Sequence, residues 1–268
     1  MQAWQSEVRG VLGELIASLS ADKQVKVRGI PLVLDPSFEV NAFAGCDDSG
    51  APFLAGTAGI LEAMDAISQT RATDEIFGTQ TYNAYANAVI PQMLQSEKAR
   101  AALPPNLIPG QYLNDPRRVS RAHELFDEIV AFTFGHELAH HYLGHTGCAN
   151  GQPMSSGPNP AQLGNLVIKV LPGINQFNEG ASDFGGVVNA LDAGRARRPN
   201  YAWTEKGGLM LLDFFARLDA AGGPASPADI LGAALNLGRQ FTRTHPSSAI
   251  RIPLVQQYAQ QWRSQHPG

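Results

Sequence analysis

Residues 134–148 read FGHELAHHYLGHTGC, with four histidines inside ten positions. Residues four apart on an α-helix share a face, so His136 with His140, or His141 with His145, makes a pair able to hold one ion. Only the first pair encloses a glutamate in second place, as His136-Glu137-Leu138-Ala139-His140. In that H-E-x-x-H pattern the two imidazoles bind zinc, and the glutamate is the general base toward a water on the metal. The second pair is rotated by about 100° from the first, and no acid completes it. His141 and His145 therefore read as solvated, or as neighbours of the ligands.

A catalytic zinc takes three protein donors and keeps one position open, so a third ligand is needed. No histidine follows at the spacing H-E-x-x-H-x-x-G-x-x-H: Leu143 and Thr146 stand where Gly and His would be. The run NEGASD (178–183) places Glu179 and Asp183 four apart, on one helix face. Glu179 is the candidate third ligand. Asp183 is the candidate acceptor for the outer N–H of a ligating histidine, which would fix its tautomer. Glu179 also has a purely structural reading, as a first-turn acid favoured by the helix dipole.

These groups need elements to carry them. Residues 120–146 form the strongest helical pattern, with Leu125, Ile129, Phe132, Leu138 and Tyr142 as its apolar positions and Gly147 as its stop. A second helix spans 176–194, ended by Gly194. Apolar positions from Trp4 to Leu19 predict an N-terminal helix. VKVRGIPLVLD (25–35), EVNAFAG (39–45) and APFLAGTAG (51–59) predict three strands, the last two joined by a tight turn at CDDSG. Helix resumes at 60–68. The stretch 69–120 predicts helix as far as Pro91 and then Pro-rich irregular chain, packed as a lid or side wall. Residues 147–165 read as a loop. YAWTEKGGLMLLDFFARLDA, PADILGAALNLGRQF and SSAIRIPLVQQYAQQW predict a helical C-terminal part.

The net charge of −4 gives no attraction to nucleic acid or to an anionic membrane surface. No run reaches the ~18–20 apolar residues of a membrane span, so no integral membrane segment is expected. The first residues lack the order of a secretion signal, and the amphipathic pattern begins almost at once, leaving room for a leader removed upstream. Cys46 and Cys148 are too far apart for a Cys-x-x-Cys motif. Paired, they indicate an oxidising compartment; free, they are small buried fillers. A bacterial periplasmic or secreted location is favoured over the cytoplasm.

H-E-x-x-H with a later E-x-x-x-D is the gluzincin arrangement, and three further stretches narrow the resemblance. VNAFAG (40–45) is similar to the Asn-Ala-Phe segment of the HtpX-like and CAAX prenyl protease group of zinc metallopeptidases. FLAGTAGIL (53–61) looks like the strand and helix that follow there, and THPSSAIRI (244–252) resembles that group's Thr-His-Pro-x-x-x-x-Arg-Ile segment. The resemblance implies an α+β, mostly helical, zincin-like fold, with a small N-terminal antiparallel sheet packed on the zinc helix. It implies one domain over 1–268: helix and sheet to about 68, an insert or lid over 69–120, and the zinc helix and helical remainder from 121. One Zn2+ per chain would be held by His136, His140 and Glu179, with Glu137 as general base. Asp183 and Arg251 would support the ligands, and His245 would stabilise the oxyanion. A peptide or protein substrate would lie extended beside the third strand, touching Asn41, Ala42 and Phe43 and Leu54, Ala55 and Gly56. The implied activity is endopeptidase, falling at acid pH because ligating histidines must be neutral. The alternatives are a latent or proteolytically silent zinc protein of the same fold, its cleft filled by 69–120 or capped by a Cys46 thiolate, and a helical binding module with a coincidental motif. The oligomeric state stays open.

Overall fold

A computed structural model describes residues 2–96, 99–148, 176–197, 202–222 and 248–267. The fold is α+β and mostly helical, with one three-stranded sheet among the described residues. Its elements are α1 (Gln2–Ser18), α2 (Ala21–Val27), β1 (Leu32–Asp35), β2 (Ala42–Cys46), β3 (Pro52–Thr57), α3 (Ala58–Phe77), α4 (Thr81–Gln95), α5 (Gly110–Leu113), α6 (Pro116–Tyr142), α7 (Gln176–Arg197), α8 (Lys206–Ala221) and α9 (Ser248–Gln265). The expected loop beyond Cys148, the expected helix PADILGAALNLGRQF and His245 lie outside the described residues. No helix among the described residues is long and apolar enough to cross a membrane.

Helix α6 organises the rest. Asp115 caps it by accepting the Arg117 N–H at 2.9 Å, and Pro116 sits in the first turn, where its missing N–H leaves no unmet donor. Every residue from Glu128 to Tyr142 is buried, as in a helix surrounded by protein. One apolar cluster joins Val8 and Leu15 of α1, Ile60 and Met64 of α3, Tyr85 of α4, Ile129 and Leu138 of α6 and Phe214 of α8. A smaller one joins Val187 and Leu191 of α7 to Leu212 of α8 and Val255 of α9.

The sheet is mixed, which corrects the expected antiparallel arrangement. β3 is the middle strand: β2 pairs with it antiparallel, Phe43 opposite Ala55, and β1 pairs with it parallel, Leu32 opposite Leu54. Only the β2–β3 link is a tight turn, held by Asp47 Oδ1 accepting from the N–H groups of Ser49 and Ala51. The β1–β2 link crosses the end of β3, where the Gly59 N–H donates to Ser37 O at 3.0 Å. A side chain at Gly59 would collide with the carbonyls of Phe38 and Glu39.

Three further expectations change. The single strand over 25–35 divides into helix α2 and a strand that starts only at Leu32. Helix prevails because the Gln24 amide donates to Ala17 O and Leu19 O, and Lys26 donates to Tyr142 O at 2.9 Å; Val27 is buried while Val25 is 68% exposed. Helix α6 ends at Tyr142, short of Gly147, and α7 runs past Gly194 to Arg197. The helical residues 69–95 belong to the core rather than to a lid. Asp74, near the end of α3, accepts the N–H groups of Thr81 and Tyr82 and so starts α4. That helix runs through Pro91, where the missing N–H normally breaks a helix; burial of Val89, Ile90 and Met93 offsets the loss. Tyr85 stacks on Phe214 with ring centres 5.9 Å apart.

Candidate metal centre

Helices α6 and α7 cross almost backbone to backbone. A Cβ on Gly186 would lie 2.8 Å from His136 N, and one on Gly185 would meet the Tyr142 hydroxyl and the Ala139 methyl. Two adjacent glycines inside a helix weaken it by roughly 1 kcal/mol each relative to Ala. Here they admit the histidine helix, and Glu179 thereby reaches both histidines. The paired glycines were the available sequence signal for this crossing, and sequence reasoning missed it.

The three expected donors converge. His136 Nε2 and His140 Nε2 are 3.0 Å apart, Glu179 Oε2 is 3.5 Å from the first, and Glu179 Oε1 is 3.3 Å from the second. Zinc with ligands at 2.0–2.1 Å in a tetrahedron separates its donors by about 3.3 Å. Among the described residues this is the one group of three or more metal-type donors. All three are 1–3% exposed.

The charges fit a dication. Glu137, Glu179 and Asp183 are buried carboxylates facing the buried Arg251, which leaves a surplus of two negative charges once both histidines are neutral, as a metal requires. Buried charge without a counter-charge is strongly disfavoured. His136 registers that demand. Burial opposes its charged form, yet Asp183 and Glu179 outweigh burial and push its pKa up to about 10. Zinc, which needs the same Nε2 bare, would take the place of that proton.

Behind His136, its Nδ1–H donates to Asp183 Oδ1 at 2.9 Å. Arg251 donates to both Asp183 oxygens, Nε to Oδ2 at 2.7 Å and Nη2 to Oδ1 at 2.6 Å. Burial would raise Asp183, but Arg251 and His136 outweigh it and hold the carboxyl at about 2. A carboxylate fixed this way orients the imidazole and raises its basicity.

Of the second histidine pair, only His141 is buried; the half-buried His145 is a neighbour of a ligand, one of its two expected readings. His141 is fully buried: its Nε2–H donates to Phe53 O at 2.9 Å, and its Nδ1 accepts the Thr146 hydroxyl at 3.2 Å. Burial pushes its pKa down to about 4, so it is a neutral tie between α6 and β3. His145 Nδ1 lies 3.2 Å from both His140 Nδ1 and Ser182 Oγ. Cys46 and Cys148 form a disulfide that fastens the end of β2 to the loop after α6. Cys46 therefore offers no thiolate to a metal, and that mode of capping drops out.

Asn41, Ala42, Phe43, Leu54, Ala55 and Gly56 are all buried in or beside the sheet. Both edges of β3 are paired, so the expected addition of a peptide strand to it has no place; the outer strands are β1 and β2. Glu137 is 2% exposed and one position along α6 from His136.

No protein-family model, no curated protein and no solved structure matches the chain. What the site can do is argued from its own residues.

Proposed function

We propose that the chain is a zinc-dependent endopeptidase of gluzincin type on a zincin-like fold. The observation that carries this reading is the convergence of His136, His140 and Glu179 at tetrahedral spacing, 3.0–3.5 Å between donor atoms, with Glu137 next on the same helix. Bound there, zinc would supply a Lewis acid that polarises a water and a scissile carbonyl. The chain supplies the rest. Glu137 takes a proton from the attacking water and returns it to the leaving amine nitrogen as the C–N bond breaks. Asp183 keeps the His136 proton on Nδ1, and Arg251 keeps Asp183 ionised and still. His245, proposed for the oxyanion, lies outside the described residues.

The test begins with metal content of the purified chain beside Glu179→Ala. One zinc in the parent and far less in the variant is expected; a parent that takes up none, even after incubation with zinc, defeats the reading. Hydrolysis of unfolded casein should then fall by about 10²-fold or more in Glu137→Gln while zinc is retained.

The deep burial of His136, Glu137, His140 and Glu179 favours a second reading, a zinc protein whose cleft is closed at rest. Casein cleavage by the intact chain without prior processing would argue against it.

A further inference from the structure

The two histidine ligands are held from behind by different chemistry. His136 leans on an anion, Asp183. His140 Nε2 faces the other donors, so a metal there requires the His140 proton on Nδ1. That nitrogen lies 3.2 Å from His145 Nδ1. We infer that His145 is a positioning residue for His140: its unprotonated Nδ1 accepts the His140 Nδ1–H and keeps the His140 Nε2 lone pair aimed at the metal position. This inference rests on the zinc reading above.

Three features support it. The chain folds back after α6 through Gly144, at φ 82°, and the His145 N–H donates to His140 O at 2.8 Å, so His145 is pressed against the ligand it serves. The Cys46–Cys148 disulfide closes this loop three residues later. Ser182 Oγ is 3.2 Å from the same His145 Nδ1, so α7 flanks the ring on its ligand side. Consecutive α7 residues thus serve the two ligands, Asp183 directly at His136 and Ser182 through His145 at His140. A neutral acceptor suits the second position, because the cluster already carries surplus negative charge. Spacing alone left His145 either solvated or a neighbour of the ligands.

The experiment is zinc affinity by chelator competition on the full chain, with the cobalt(II) absorption spectrum and far-ultraviolet circular dichroism alongside. His145→Phe keeps the ring and removes the acceptor; His145→Asn keeps an acceptor oxygen near Nδ1. The expected result is zinc binding weakened about 10–100-fold in His145→Phe, with altered cobalt bands, unchanged helicity and most of the affinity restored in His145→Asn. Zinc affinity of His145→Phe equal to the parent's, or His145→Asn no tighter than His145→Phe, overturns the role of His145 alone. A parent that takes up no zinc overturns the metal reading and this role together.

Discussion

Helix α6 carries two buried polar clusters about 12 Å apart along its axis. They are alike in packing. At His136 the neighbour is α7, admitted by Gly186; at Glu128 it is α8, admitted by Gly207, whose Cβ would lie 2.5 Å from Ile129 N and nearer still to the Glu128 backbone. They differ in electrostatics. Asp183 receives two hydrogen bonds from Arg251 and one from His136, and stays at about 2 despite complete burial. Glu128 is 4% exposed, accepts the Thr204 hydroxyl at 2.9 Å and lies 3.7 Å from Arg121. There burial dominates and the pKa rises to about 7. Burial alone does not set a carboxylate's charge; a bidentate cation partner does. Of the two crossings, the first also gathers histidines and surplus negative charge.

Breaking the ion pair at the first crossing should have the largest effect. Arg251→Met strips Asp183 of its bidentate partner, leaving only His136 opposite it, and should cost about 3 kcal/mol in the metal-free protein, read by urea denaturation. A loss within error would mean that Asp183 does not depend on Arg251.

At the second crossing the effect is a pH slope. The folded pKa of Glu128, about 7, exceeds its ordinary 4.5, so the folded state holds the extra proton between those values. Stability is then fully present below about pH 4.5 and falls by up to about 3 kcal/mol as pH rises through 7. Glu128→Gln should remove that slope. Denaturation midpoints at about pH 5 and pH 8 check it, and parallel slopes in parent and variant would contradict the assignment.

The packing likeness itself can be tested. Gly186→Ala and Gly207→Ala should each destabilise by about 1–3 kcal/mol through overpacking. Only Gly186→Ala should also weaken zinc binding, since it displaces the His136 backbone. Equal loss of zinc in both would erase the distinction between the crossings.

The smallest effect belongs to Thr204→Val. Its lost hydroxyl favours ionised Glu128, so about 1 kcal/mol should disappear above pH 7 and little below pH 5, measured by thermal melts at both ends.

Much of the site was legible because its spacing is local. H-E-x-x-H and E-x-x-x-D each place two side chains on one face of one helix, whatever the helix packs against. Element types were readable where periodicity ran long, as in α1, α6 and α7. The α2 region was misread because β-branched composition outweighed a short helix held by Gln24 and Lys26. Pro91 was given too much weight, since buried neighbours can carry a helix through a missing hydrogen bond. The pairing of Cys46 with Cys148 was undecidable from spacing, because a bond over a sequence separation of 102 depends on where two distant loops meet.

By itself the sequence determined that one helix presents two imidazoles and a carboxylate on neighbouring faces, and that another presents Glu179 and Asp183 together. Only the tertiary structure decided that these helices touch closely enough for Glu179 to meet both histidines, that Arg251 locks Asp183, and that His141 serves β3 while His145 turns back to His140. It alone decided that β3 is flanked on both sides. The physical reason is range: helical spacing is fixed by the bond geometry of a few residues, whereas helix crossings, strand order and buried ion pairs depend on surfaces brought together from far along the chain.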